Sequence, residues 1–322
     1  MKLLIRGIKW IGKILVGIIA LTIISGVVFR MLSSKPEPPG ELVDVNGTKL
    51  HIRAEGERND LPTLVLEAGA GGNTDVFHWI SKGLKEHMRV VRYDREGKWF
   101  SESSKDSLQP EFYARQLHNL LEKNGENPPY ILAGHSMGGP YNRIYRDLYP
   151  DEVKGLVFMD SSHPEQWERL AENGLFDESQ INRIKLFAIL ADMGILGVYE
   201  NIIKPKSMNE YLPKDCQIRN AQLTSYSGKI YRRYLKENSI NDDVLNRADK
   251  AASLDSLPVL VFTATEQYGD AQKWFKMQQE LKGLSTNGKQ FDVEANHGTI
   301  ITKKENAELI TKEILLLAKS VK

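Results

Sequence analysis

The sequence predicts an α/β fold: a mostly parallel central sheet flanked by helices, with a helical cap insertion and an N-terminal transmembrane helix. Three observations carry this expectation. Short apolar runs such as Leu64-Val65-Leu66, Arg89-Val90-Val91-Arg92-Tyr93 and Val259-Leu260-Val261-Phe262 alternate with helical stretches, the pattern of repeated strand–helix units that assemble a parallel sheet. About a hundred residues between Asp160 and Pro258 break the alternation and carry only helical signals. The stretch from Ile14 to Phe29 has no charge at all.

That uncharged stretch comes first in the chain. Allowing Lys13 to snorkel extends it back to Ile11, and residues 11–29 then reach about 28 Å, roughly the hydrocarbon thickness of a bilayer. A cleaved signal peptide has a shorter apolar core ending at a small-x-small site, and Val27-Val28-Phe29-Arg30 is a poor context for cleavage. A retained anchor is therefore expected, with cleavage near Ser25-Gly26 and secretion as the alternative. Lys2, Arg6, Lys9 and Lys13 precede the span while Arg30 and Lys35 follow it. This bias predicts a cytoplasmic N-terminus and an extracytoplasmic domain. A buried core helix is the plain alternative, but a helix apolar on every face would need a core wrapped around it. Residues 1–35 are assigned to the anchor and its flanks, and the proline-rich residues 36–40 to a short stiff linker.

The folded part then divides into a first core segment (41–160), a helical cap (161–257) and a second core segment (258–322). Asn46-Gly47, between Leu42-Val43-Asp44-Val45 and Thr48-Lys49-Leu50-His51-Ile52, predicts a hairpin on a type I′ turn. Strands follow at 63–67, 89–93, 130–133, 155–159, 259–263 and 290–293, with helices at 76–86, 111–122, 139–148, 271–281 and 305–318. Within the cap, helical character falls at 164–172, 178–191, 217–236 and 242–252. Leu186, Phe187, Ile189, Leu190, Met193, Ile195 and Leu196 make its first half apolar. A face packed on the main domain accounts for most of them, and a few could line a pocket.

Composition narrows the function. The 322 residues are 41% hydrophobic and 26% charged with a net charge of +1, which gives no argument for nucleic acid. The single cysteine, Cys216, excludes an internal disulfide framework and reads as a packing residue. Acidic and histidine residues show no metal-ligand spacing, so no metal or cofactor is implied.

Gly134-His135-Ser136-Met137-Gly138 directly follows the strand 130–133 and opens the helix 139–148. A G-x-S-x-G pattern between a buried strand and a helix holds its serine in a sharp turn, where the glycines leave room and the helix N-terminus offers unpaired N–H groups to an oxyanion. Ser136 is the expected nucleophile. A serine hydroxyl needs an imidazole to accept its proton and a carboxylate to orient that imidazole. Of the seven histidines, His297 alone lies in a loop directly after the last strand, on the edge where the Ser136 turn emerges. His51, His78, His87 and His118 are expected in surface or capping roles, His135 beneath the elbow, and His163, just past a strand end, is the rival base.

The sequence resembles the α/β-hydrolase fold superfamily, and within it a group of membrane-anchored or exported bacterial hydrolases. The resembling stretches are Leu66 to Gly72, Tyr93-Asp94-Arg95-Glu96-Gly97, Gly134 to Gly139, Tyr149-Pro150-Asp151-Glu152-Val153, Asp160-Ser161-Ser162-His163-Pro164-Glu165-Gln166 and His297-Gly298. The chain order serine, acid, histidine is the one this fold uses. The resemblance implies an oxyanion hole built from the backbone N–H groups of Met137 and Ala70. The common His-Gly pair of that loop is replaced here by Ala68-Gly69, which puts the loop's support in doubt. Trp99 stands where the family usually has glycine, predicting a bulkier loop and a narrower pocket, and Asp94 is expected to be structural. Gly69, Gly71 and Gly72 do not fit G-x-G-x-x-G, which argues against a nucleotide site.

Two acids compete for the third role, Asp160 at the end of the strand 155–159 and Glu266 just past the strand 259–263, with Asp270 nearby. Asp160 is expected, because an apolar strand delivers it directly and its exit matches the resembling group. The alternative is that Asp160 only caps its own turn. The resulting expectation is a carboxylesterase- or lipase-like serine hydrolase that cleaves an ester or lipid-like acyl compound through an acyl-serine. Acyl transfer on the same scaffold and a non-catalytic ligand-binding protein are the alternatives.

Overall fold

The N-terminal stretch forms one unbroken helix, α1 (Lys2–Leu32), since it contains no proline and its glycines are too sparse to stop a run of good helix formers. The computed structural model describes residues 2–104, 108–170, 177–203, 210–266 and 270–322. Val16, Leu21 and Met31 are 67%, 65% and 80% exposed. The alternative of a buried core helix is thereby overturned, and Leu4–Leu32 is long and apolar enough to cross a membrane.

The hairpin forms as its turn residues require. Strand β1 (Glu41–Val45) pairs antiparallel with β2 (Thr48–Glu55), and Asn46 and Gly47 both take positive φ, 54° and 82°. After β3 (Thr63–Glu67), a 3₁₀ turn at Thr74–Phe77 leads into α2 (His78–Leu84), then come β4 (Val90–Tyr93), α3 (Phe112–Lys123), β5 (Tyr130–His135), α4 (Gly138–Leu148) and β6 (Val153–Met159). The cap interval holds α5 (Gln166–Leu170), α6 (Glu178–Asp192), α7 (Ile195–Ile203), α8 (Lys214–Tyr226), α9 (Lys229–Asn238) and α10 (Asn241–Asp249). The chain closes with β7 (Val259–Ala264), α11 (Ala271–Gly283), β8 (Gly288–Val293), α12 (Thr299–Thr302) and α13 (Lys304–Ser320).

The sheet has eight strands in the order β1-β2-β4-β3-β5-β6-β7-β8, and every pair from β4 to β8 is parallel. Side chains of a strand alternate between faces. Tyr130 and Leu132 of β5 therefore join one core with α3, α4 and α10, while Ile131 and Ala133 join a second with α2, α12 and α13. Both faces are covered, which is why β3, β5 and β7 are buried along their whole length. Strand order reverses at β3, flanked by β4 on one side and β5 on the other. The loops after β3 and β5 meet at that switch point, where open α/β sheets bind ligands.

The cap differs from expectation in several places. The predicted helix 217–236 is two helices, broken at Ser227-Gly228 because Gly228 packs directly on the backbone of Ala188, with no room for a Cβ. Of the predicted helix 164–172, residues 171 and 172 lie outside the described residues. The apolar first half does not all pack inward: Leu186, Phe187 and Ile189 are exposed. Helix α7 forms where no helix was expected; it turns away from α6 by 93° after Met193-Gly194 and packs on α1.

Candidate active site

Ser136 sits between β5 and α4 with φ +52°, a left-handed backbone that a residue with a Cβ adopts only when its surroundings enforce it. Three backbone hydrogen bonds enforce it here. Ser136 N–H donates to Met159 O at 3.3 Å, and Ser136 O accepts from Ser162 N and Gly139 N, each at 3.1 Å. A Cβ on Gly134 would strike Gly138, and one on Gly138 would strike the Glu67 carbonyl, so both motif glycines are required by space. The loop after β3 approaches just as closely: a Cβ on Gly69 would lie 2.8 Å from Ser136 Cβ.

That loop, left without its usual histidine, is held from beneath. Arg95 Nη2 donates to Gly69 O at 2.8 Å, and Nη1 bonds to Ala68 O and to Glu67. Arg95 is itself buried between Glu67 and Glu237, with its guanidinium 5.0 Å from the Tyr141 ring. Trp99 adds a second tie, its Nε1–H donating to Gly72 O at 2.9 Å and Gly71 O at 3.2 Å. The residue expected only to narrow the pocket thus also braces the loop. Trp99→Phe keeps the ring and removes this donor. It is expected to cost about 1 kcal/mol of stability and to lower kcat roughly tenfold with KM changed less; unchanged steady-state kinetics would show that the brace does not position the loop.

His297 leaves the loop after β8, and its Nδ1 lies 2.7 Å from Asp160 Oδ2. The carboxylate can only accept, so Nδ1 carries the proton and Nε2 is left as the basic nitrogen. Asp160 is buried at the end of β6 with φ +45°. Its Oδ1 accepts from Trp274 Nε1 at 2.8 Å and Ala264 N at 3.1 Å. Burial alone would raise its pKa, but the bonds from His297, Trp274 and Ala264 outweigh it and hold the carboxyl below the usual range. Beneath His297, His135 Nε2 bonds the His297 carbonyl at 2.7 Å. Burial and the neighbouring imidazole push the His135 pKa down to about 3, so it stays a neutral donor in that bond.

The other candidates lie apart. The Glu266 side chain is exposed and makes no hydrogen bond or ion pair among the described residues, and Asp270 caps α11 through Lys273 N. His163 pairs with Glu280 at 3.3 Å. With Glu165 it forms the one trio of potential metal ligands among the described residues, but Arg169 bridges both carboxylates. His51 is not at the surface as expected. It is fully buried, 2.7 Å from Asp94 Oδ2, because the edge hairpin is covered by the loop after β4. Asp94, which also accepts from Thr74 N, is structural. Cys216 is buried and its thiol is pushed up to about 12, mainly by desolvation, leaving it inert at neutral pH. Sequence reasoning missed Trp274, Arg95 and Glu237; Trp274 lies within a helix of ordinary polarity, where nothing local marks it.

Ser136, His297 and Ala70 line one pocket of about 460 Å³. Its walls are Trp99 and Ile301 from the core and Ile230, Tyr231 and Tyr234 from the cap. Ser136 Oγ has no hydrogen-bond partner among the described residues. A hydroxyl, an imidazole held by a carboxylate and a helix N-terminus at one apolar pocket can together pass a proton and stabilise an oxyanion.

The chain has the α/β-hydrolase fold. The family model described as alpha/beta hydrolase fold matches residues 62–188. An uncharacterized protein of Bacillus subtilis, YbdG, is 27% identical over 254 residues, 76% of this chain and 73% of its own. Lipase 1 of Psychrobacter immobilis is 28% identical over 227 residues, an alignment that takes in 67% of this chain and 65%, just under two thirds, of the lipase. Among solved structures, the enol-lactonase of Burkholderia xenovorans LB400 aligns with TM-score 0.61 at 20% identity, covering 87% of this chain and all of that one.

Proposed function

We propose that this chain is a serine hydrolase that cleaves carboxylic esters or related acyl compounds. Ser136 Oγ attacks the acyl carbon as His297 Nε2 takes its proton, and the carbonyl oxygen becomes an oxyanion facing the N–H groups of Met137 and Ala70. His297 then returns the proton to the leaving alcohol, and water releases the acid from the acyl-serine by the same steps in reverse order of partners. Asp160 keeps Nδ1 protonated and steadies the imidazolium. The observation that carries this reading is the 2.7 Å contact between His297 Nδ1 and Asp160 in a pocket that Ser136 shares. A serine at the elbow disfavours the dehalogenase and epoxide hydrolase chemistry of this fold, which uses a carboxylate there. The largely apolar walls favour an aliphatic or aromatic acyl group. The test is a series of p-nitrophenyl esters of graded chain length on the full chain in detergent. Turnover with a chain-length optimum is expected, and no turnover of any ester would refute the reading.

The chain is further proposed to stay in the membrane through α1, with its catalytic domain outside. The asymmetry of Lys2, Arg6, Lys9 and Lys13 against Arg30 and Lys35 supports the orientation. Retention is supported by contacts that cleavage near residue 30 would remove, since Arg30 Nη1 donates to Asp192 O at 2.8 Å and to Tyr226 O at 3.0 Å. Protease added to intact cells is expected to degrade the domain and leave the N-terminus with the membrane. A domain that becomes sensitive only after lysis would reverse the orientation, and a mature soluble form lacking the first thirty residues would establish a signal peptide.

A further inference from the structure

We propose that the corner between α6 and α7 is a second membrane-contact surface, seated in the leaflet beside the carboxyl end of α1, through which the pocket receives acyl substrates dissolved in the bilayer. The proposal rests on the reading of α1 as a membrane span.

Depth is set by α1. With residues 11–29 filling the hydrocarbon, its boundary falls near Phe29 and Arg30. The cap is joined to α1 at this level and not by the linker alone. Gly26 and Gly194 pack backbone to backbone, so a Cβ on either would strike the other segment, and the Phe29 ring lies against Gly197. Gly26 is about 4.5 Å to the hydrocarbon side of Phe29, and the α6–α7 corner that packs on it shares that depth. Arg30, at the boundary, has its charge met by Asp192 at 3.8 Å and its donors by cap carbonyls.

The exposed faces of the two helices that meet at this corner suit lipid. Leu186 and Ile189 of α6 and Ile202 and Ile203 of α7 are 51%, 54%, 72% and 58% exposed, a concentration that marks an interaction site and not scattered surface residues. The two helices together are apolar enough to insert in a membrane, yet their 93° bend prevents a straight crossing. A bent helical pair with its backbone bonds satisfied can lie in the interface. Lys185, the only charge between Ile184 and Ala191, has a stem long enough to snorkel.

The surface also leads to the site. The ring of Phe187 packs 6.1 Å from that of Tyr231, a wall of the catalytic pocket. Helix α8 gives Thr224 to that pocket, while its neighbours Ile218, Ala221 and Ser225 line a groove of about 420 Å³ with Phe29 and Leu32 of α1. Helix α8 therefore contributes to both the groove beside α1 and the pocket that holds Ser136, which makes this side of the cap the proposed route of entry for an acyl chain.

The test uses the full chain in phosphatidylcholine–phosphatidylglycerol vesicles, with a bimane label on Ile189→Cys, Ile202→Cys, Ile18→Cys in the anchor or Leu316→Cys. Leu316 is 52% exposed near the far end of α13, at the sheet edge opposite the cap, and buried Cys216 is shielded from the reagent. Labels at 189 and 202 are expected to be quenched by lipid-borne nitroxides and protected from iodide, while the label at 316 behaves oppositely. If 189 and 202 behave like 316 while 18 is quenched from the lipid, the proposal fails and the anchor stands. If 18 is not quenched from the lipid, both fail. For delivery, Ile189→Glu with Ile202→Glu should lower the ratio of turnover on a bilayer-held p-nitrophenyl palmitate to that on p-nitrophenyl acetate at least tenfold; an unchanged ratio overturns it. A chain with no esterase activity refutes the catalytic reading, and the quenching pattern still decides the membrane surface.

Discussion

Asp160→Asn is expected to lower kcat by roughly three to four orders of magnitude at neutral pH, while Glu266→Gln stays within about twofold of wild type. The environment of Asp160 dictates how an amide would sit. Oδ1 accepts two hydrogen bonds, from Trp274 Nε1 and Ala264 N, so the asparagine oxygen takes that place and its NH₂ faces His297 Nδ1. An NH₂ group cannot accept a proton, so His297 is driven to the tautomer protonated at Nε2 and can no longer accept from Ser136. The same substitution has a stability signature. The folded-state pKa of Asp160 lies below its ordinary value of 3.8, so its ionised form contributes stability that is present above that value and lost as pH falls through the folded pKa. The melting temperature of Asp160→Asn should therefore trail wild type at neutral pH, with the gap closing in acid. Near-normal turnover in Asp160→Asn together with collapse in Glu266→Gln would move the acid to the loop after β7.

Ser136→Ala is expected to abolish labelling by a fluorophosphonate probe and to lower hydrolysis at least a thousandfold, with the melting temperature nearly unchanged. Stability should be spared because Ser136 Oγ makes no hydrogen bond among the described residues. Alanine also keeps the Cβ, so the cost of φ +52° is the same before and after. Retention of more than about a tenth of the activity would remove Ser136 from the mechanism, and a large fall in melting temperature would show that its hydroxyl supports the turn.

Much of the core was legible in the sequence because it rests on local signals. Asn46-Gly47 specifies a turn that only permissive residues make, and the apolar runs of β3, β5, β6 and β7 record burial on both faces of a parallel sheet. The elbow was legible for the same reason: Gly134 and Gly138 are steric requirements of the turn that presents Ser136, and such requirements appear as residue identity. His297 could be singled out because it follows the last strand, on the edge where parallel strands deliver their loops.

What the tertiary structure decided concerns residues whose partners lie far off in the chain. Asp160 and Glu266 both follow strands on the edge where Ser136 emerges, and only packing shows that the left-handed turn at Asp160 aims its carboxylate at His297 while the Glu266 side chain is exposed. Burial of His51 against Asp94 and the bracing of the Ala68–Gly72 loop by Arg95 and Trp99 likewise join segments tens of residues apart. The apolar residues of α6 and α7 show the limit most clearly, since a hydrophobic side chain reads the same in sequence whether a protein core or a bilayer covers it. Only the packing of Gly194 and Gly197 against Gly26 and Phe29 places that surface beside α1. Periodicity and steric demand are properties of neighbouring residues and can be read in order along the chain, whereas the choice between two chemically equivalent partners is made by distance in space.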